Sequence, residues 1–304
     1  MTKTIFTLFY ILLISQSFFA QDPTFSQTTA PNINLNTALI GNDTKARLST
    51  SYRNQWAGMS GNIKTSMINF YQYIPKSNGY GGINFMFDNQ ANVFYTRSTS
   101  LFYSQNIKLG NFLIRPSVEG VFVNKYLNWN HLVFNDSSDP VIGELQQSKP
   151  NNYLDLNIGT VIYYKKLLLG LSAHNINQPN TGFFSTSHLP TNYGLQLCYT
   201  LEFNKFSISP FAYYNYQNSF QLFVPGVRFM YNNHFNFAFS TRTKDAVIFN
   251  FGYQNKVFVI NYSYDYTISK LNNSITRGSH ELSLSFKFWN VKAHEKFVEV
   301  KSVY

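Results

Sequence analysis

The sequence is short of charge, almost without cysteine, and lacks long apolar runs. Charged residues fill only 12% of its 304 positions, about half the share of an average soluble domain. An ordinary water-facing surface is therefore out of reach. A single cysteine, Cys198, excludes a disulfide scaffold. Beyond the N-terminus no window approaches the ~20 consecutive apolar residues of a spanning helix, and the mean hydropathy of −0.20 is too polar for a helical membrane bundle. Catalytic signatures are missing as well: there is no Gly-x-Ser-x-Gly elbow, no His-Glu-x-x-His and no Gly-x-x-x-x-Gly-Lys loop. The histidines at 131, 174, 188, 234, 280 and 294 are scattered without metal-ligand spacing. No enzyme activity, metal or cofactor is expected. The formal charge of +10 is dispersed, with Lys165-Lys166 the only adjacent basic pair, so a nucleic-acid patch is not expected either. Basic residues near strand ends suit anionic lipid headgroups, or equally the solubility of loops and tail.

What is present in excess is aromatic: 30 Phe and 22 Tyr bring the aromatic share to 18%. Disordered chains are poor in aromatics and rich in charge, so disorder is excluded. Lys3, an uncharged apolar run from Ile5 to Ile14, and Ala20 form the pattern of a secretory signal peptide, residues 1–20, with cleavage near Ala20.

From Lys45 onward the dominant signal is period-two alternation. Leu282, Leu284, Phe286 and Phe288 alternate with Glu281, Ser283, Ser285 and Lys287. Tyr193, Leu195, Leu197, Tyr199 and Leu201 alternate with Gly194, Gln196, Cys198 and Thr200. About fourteen such segments occur, each of the length a tilted strand needs to cross a bilayer: 45–54, 63–73, 79–88, 94–106, 111–123, 152–164, 166–174, 190–202, 205–216, 220–231, 234–242, 246–254, 256–266 and 279–289. The second and fourth alternate poorly. Long connections (55–62, 124–151, 175–189, 267–278) all fall on one end, and short ones on the other. The polar faces carry Asn, Ser, Thr and Gln with isolated charges such as Arg53, Arg115, Glu119 and Arg228, which suits a polar lumen better than the Lys- and Glu-rich exterior of a sandwich. The expected fold class is therefore all-β: a transmembrane antiparallel β-barrel of about 14 strands, with short periplasmic turns and longer extracellular loops. A secreted β-domain with a Tyr-rich core is the alternative. The expected divisions are the signal peptide (1–20), an N-terminal periplasmic segment (21–44), the barrel (45–289) and a C-terminal periplasmic tail (290–304). That tail is either a contact or a free end, the free end being the simpler account.

Several strings in order then carry a resemblance: Gln21 to Gln27, Leu35 to Gly41 (Thr37 where Pro is usual), Tyr52 to Trp56, His174 to Asn180 with Leu189-Pro190, Tyr262 to Ser269, and Gly278 to Leu284. Together they resemble the PorP/SprF family of outer-membrane proteins of the Bacteroidota type IX secretion and gliding machinery. That resemblance implies a multi-pass barrel that does no chemistry. It serves either a partner secreted protein with a type IX C-terminal sorting domain, adhesin-like, or the periplasmic ring of the machine. Paralogues each serving one neighbouring substrate favour the first role. On the topology above, the family strings sit at the extracellular mouth. The expected partner-docking residues are Tyr52, Arg53, Asn54, Gln55, Trp56, His174, Asn175, Asn177, Gln178, Pro179, Asn180, Tyr266, Ser269 and His280. The bland alternative is that these loops pack on one another and cap the barrel. A solute porin or uptake channel is the second functional class, and a surface enzyme the third.

Overall fold

The computed structural model describes residues 25–28, 32–41, 43–132, 143, 149–294 and 297. The expected signal peptide, most of the 124–151 loop and nearly all of the tail beyond 294 lie outside them. The strands are β1 (Lys45–Gln55), β2 (Ile63–Ile74), β3 (Gly79–Gln90), β4 (Phe94–Gln105, continued by Ile107–Leu109), β5 (Phe112–Leu127), β6 (Asn151–Tyr164) and β7 (Leu167–His174). Then follow β8 (Asn192–Tyr199, continued by Leu201–Phe203), β9 (Phe206–Gln217), β10 (Phe220–Tyr231), β11 (Phe235–Arg242), β12 (Ala246–Gln254), β13 (Phe258–Thr267) and β14 (Ser279–Asn290). Each strand pairs antiparallel with the next, and β14 pairs with β1 to close the ring. Closure leaves no edge strand, the condition for a sheet to sit in lipid. Every expected strand exists, with ends shifted by a few residues.

The two faces explain why these segments are strands. Leu101 and Leu154 are each 66% exposed on the outer wall, where bilayer replaces water as solvent. Their neighbours Ser100 and Asp155 are buried facing the lumen. At the end of the short turns, outward aromatic pairs such as Phe112–Tyr164 (stacked) and Phe206–Tyr231 (tilted) lie 4.6 and 4.9 Å apart. At the opposite, loop end, Tyr95 and Tyr126 stack 4.8 Å apart. These are the two aromatic girdles of a membrane barrel.

The N-terminal segment departs from expectation. It does not hang on the periplasmic side of the barrel: its described residues run inside the lumen. Phe25 to Thr28 and Ile33 to Gly41 are almost all buried. A single 3-10 turn, Thr37–Leu39, is capped by Asn36, whose side chain accepts from the Ala38 amide. Leu35, Ala38 and Leu39 pack on inward Leu113, Val161, Tyr163, Leu168, Cys198 and Val224. Phe25, Ile33 and Ile40 pack on Met67, Tyr71, Tyr73, Tyr80 and Phe102. The lumen is thus polar in part only; an apolar hub grips the inserted chain. This also explains the weak alternation of β2, where inward Met67, Tyr71 and Tyr73 face the insert while Ile68 and Ile74 face lipid. The start of the tail turns inward too. The His294 amide donates to Tyr73 Oη at 3.3 Å, and the Phe297 ring lies 5.0 Å from the Tyr73 ring.

Candidate functional site

The loop end is built on two opposite sides of the ring. On the seam side, β1, β13 and β14 carry the 56–62 and 268–278 loops, which are hydrogen-bonded together. The Ala57 amide donates to Gly278 O at 3.0 Å, and the Gly58 amide to Thr276 O at 2.8 Å. Trp56 takes a left-handed φ of 57°, unfavourable for a bulky residue. Its amide is held by Ser279 Oγ at 3.2 Å. Seven strands away, the 175–191 loop folds on itself. Asn177 continues the ladder of β6 beyond the end of β7: its side chain accepts from the Leu156 amide and donates to Leu154 O, at 3.0 and 2.8 Å. Asn180 Oδ1 accepts from the Gly182 and Ser187 amides, at 3.1 and 2.9 Å.

The expected docking residues therefore separate into groups that sequence spacing does not reveal. Asn54, Gln55, Trp56 and Ser269 lie on the seam-side rim, and Asn177, Gln178, Pro179 and Asn180 on the rim opposite. Tyr52 and Tyr266 point to the outer wall, 45% and 47% exposed. His280 joins them there, its Nδ1 2.7 Å from Tyr262 Oη. Arg53 and Asn175 are buried, and His174 Nε2 meets Leu35 O of the insert at 3.2 Å.

Arg53 is the centre of a latch on the inserted segment. Its guanidinium meets Asp265 Oδ2 at 2.8 Å and Glu281 Oε2 at 3.3 Å, all three residues buried. Arg242 adds a second cation, 3.3 Å from Asp265 and 3.0 Å from Asp245. Ser26 threads this cluster. Its amide donates to Glu281 at 2.6 Å, its hydroxyl donates to Asp265 at 2.6 Å, and it accepts from both arginines. Gln27 Nε2 donates to the carbonyls of Asn261 and Glu281, at 3.4 and 3.3 Å. Buried charges are tolerated because each has an opposite charge and further hydrogen bonds. Toward the turn end, Arg115 forms a second clasp. It lies between the rings of Tyr80 and Tyr163, 5.1 and 5.4 Å from their centroids, and donates to the carbonyls of Ala38 and Ile40.

Ser26, Gln27, Arg242, Asp265 and Glu281 were not expected as site residues. The available signal was inward charges of opposite sign near one end of neighbouring strands, together with shared strings at 21–27 and 35–41 that belong to no strand. Among the described residues no group of three or more His, Cys, Asp or Glu side chains could hold a metal ion, and no helix is long and apolar enough to cross a membrane.

Comparison with solved structures returns barrels of low identity. The outer membrane protein Omp33 of Acinetobacter baumannii is 8% identical over 82% of this chain and 100% of its own, with a TM-score of 0.47. The CymD monoaromatic hydrocarbon channel is 10% identical over 90% of this chain and 95% of its own, with a TM-score of 0.48. A FadL homologue of Pseudomonas aeruginosa is 11% identical over 88% and 98%, also with a TM-score of 0.48. No curated protein matches the chain. The family model described as type IX secretion system membrane protein PorP/SprF matches residues 17–286, which span the insert and almost the whole ring. This closed outer-membrane barrel with its internal N-terminal segment belongs to the PorP/SprF family of type IX secretion system membrane proteins.

Proposed function

We propose that the barrel is a non-enzymatic component of type IX secretion that holds a partner secreted protein at its loop end. The signal peptide is removed near Ala20, the short turns face the periplasm and the loop end faces outward. The observation that carries this reading is the occupied lumen: two arginine clasps and an apolar hub hold residues 25–28 and 32–41 inside the ring. A shut barrel offers a large partner its rim rather than its bore. The two rim groups, around Trp56 and around Asn177 to Asn180, are fixed by their own hydrogen bonds. A fixed surface loses little conformational entropy on binding. The partner is an adhesin-like protein with a C-terminal sorting domain, and coupling to the periplasmic ring is the other role within the same family.

The test combines Trp56→Ala with replacement of 175–180 by Gly and Ser. Surface display of the partner is expected to be lost while the barrel remains inserted, and normal display overturns the docking reading. Purification of the intact barrel in mild detergent separates the two roles, through co-purification of one large secreted protein or of secretion-ring components. The unaltered barrel is expected to be silent in planar bilayers, whereas a steady conductance favours the solute-channel alternative.

A further inference from the structure

The outer wall carries few charges between its two aromatic girdles, and one of them stands out. In β4, Ser98, Ser100 and Phe102 are buried toward the lumen, while Arg97, Thr99 and Leu101 point outward. Arg97 is thus an exposed arginine on the lipid-facing side of the ring.

Strand register fixes its position. Tyr95, which stacks on Tyr126 at the loop end, lies two residues nearer to the rim on the same strand. Directly opposite Arg97 are Phe87 of β3 and Asn124 of β5. Away from the rim, Thr99 comes next, between Phe85 and Phe122, and then Leu101. Phe85, Phe122 and Leu101 are 48%, 50% and 66% exposed, as befits the band that meets acyl chains. Arg97 therefore leaves the wall on the membrane side of its girdle, at the edge of the apolar band.

A cation there costs stability unless its head reaches the polar edge of the bilayer or meets an anion. The side chain leans toward that edge. Its guanidinium carbon lies 5.8 Å from the Phe87 centroid and 5.2 Å from that of Tyr126, the partner of Tyr95 nearer to the rim. Ring faces hold a guanidinium through its charge and leave its fork of N–H donors to other acceptors.

The wall supplies no anion to meet it. Arg97 is in no ion pair among the described residues. Its hydrogen bond to Tyr126 Oη is a long one, 3.5 Å from Nη2. Asp88 of β3 and Glu119 of β5 are buried on the lumen face. A cation steered by two rings, with open donors and an apolar surface beneath it, matches a ligand that is anionic at one end and apolar at the other.

We propose that Arg97 binds the phosphate of a membrane lipid in the leaflet at the loop end. The guanidinium fork engages two phosphate oxygens, and the acyl chains run over Phe122 and Leu101. That apolar contact commits the site to a lipid rather than a free anion. The assignment needs only the ring in its bilayer and is independent of what the rim holds.

The test is native mass spectrometry of the full-length barrel released from detergent micelles. Its two probes have the same acyl chains, dioleoyl phosphatidic acid and dioleoylglycerol. Phosphatidic acid is expected to remain bound, and dioleoylglycerol to be lost. Arg97→Gln should lower binding of phosphatidic acid by about tenfold or more. Lys205→Gln, in an exposed turn at the other end, should leave it unchanged. Asn124→Asp places a carboxylate directly opposite Arg97 and should displace the lipid from a barrel that keeps its strand circular dichroism. Equal retention of the two probes overturns the site, as does unaltered binding in Arg97→Gln or in Asn124→Asp. An equal loss in Lys205→Gln overturns it as well, by showing attraction to overall charge. Release of phosphatidic acid by excess inorganic phosphate overturns the lipid as the source of the anion.

Discussion

Asn36 lies so close to Gly159 that a β-carbon on the glycine would sit 2.2 Å from Asn36 Oδ1. Only a residue without a side chain allows this approach. Across the gap, Asn36 Nδ2 donates to the carbonyls of Thr160 and Leu171, at 3.2 and 3.0 Å. The insert is thereby tied to the backbone of β6 and β7. Gly159→Ala is expected to push Asn36 away and cost about 1–3 kcal/mol. Faster proteolytic clipping within residues 25–41 of the detergent-solubilised barrel would report it. Adding Asn36→Ala to that variant should recover part of the loss, and clipping at the native rate in the single variant would refute the contact's importance.

Arg53→Met keeps the length of the side chain and removes its charge. Arg242 still pairs with Asp265, so Glu281 is the carboxylate left buried without a cation. Breaking a buried pair from one side costs about 3–5 kcal/mol. A lower thermal unfolding midpoint is expected. Combining Arg53→Met with Glu281→Gln should restore much of it, and a double variant no better than the single one would count against this account of the latch.

Cys198 provides a probe of the insert. It is 5% exposed within the hub that grips Leu35 and Leu39, and it is the only cysteine of the chain. A maleimide added to the native barrel is expected to leave it unmodified. Leu39→Asp places a charge in that hub and should raise the labelling rate by about tenfold or more through opening of the lumen. Mass spectrometry of the labelled protein decides it, and rapid labelling of the unaltered barrel would contradict a closed lumen.

At the turn end, the contact between Phe297 and Tyr73 predicts a smaller effect. Phe297→Ala removes an edge-on ring pair, for which about 0.5–1.5 kcal/mol is usual. The expected result is a modest fall in unfolding midpoint with the ring of strands intact. An unchanged midpoint would make the tail a free end after all.

The strands were legible because lipid and lumen impose opposite demands on alternate residues, as in β8, where Leu195 and Leu197 face out and Gln196 and Cys198 face in. Legibility failed where the lumen face was apolar as well, as at Met67 and Tyr71 of β2. It failed completely for the inserted segment. Phe25, Ile33, Leu35, Leu39 and Ile40 follow no period, because an irregular chain of turns enclosed on all sides has no solvent face to create one. Residues 21–44 consequently resemble a polar lead-in. Counting strands puts the 56–62, 175–191 and 268–278 loops at one end of the ring. Their division into two opposite groups required the closure of β14 on β1, which no local pattern encodes.

That closure has a consequence for assembly. The insert precedes β1 in the chain, while the strand that completes the wall is the last, β14. Ser26 touches Glu281 of that last strand, whereas Asn36 is tied to β6 and β7. The earliest part of the folded chain is thus contacted by both the middle and the end of the wall. The segment therefore shares contacts with strands far apart in the chain. The Arg53–Glu281 pair joins first strand, last strand and Ser26 of the core, so the stability of the seam and the seating of the core are coupled.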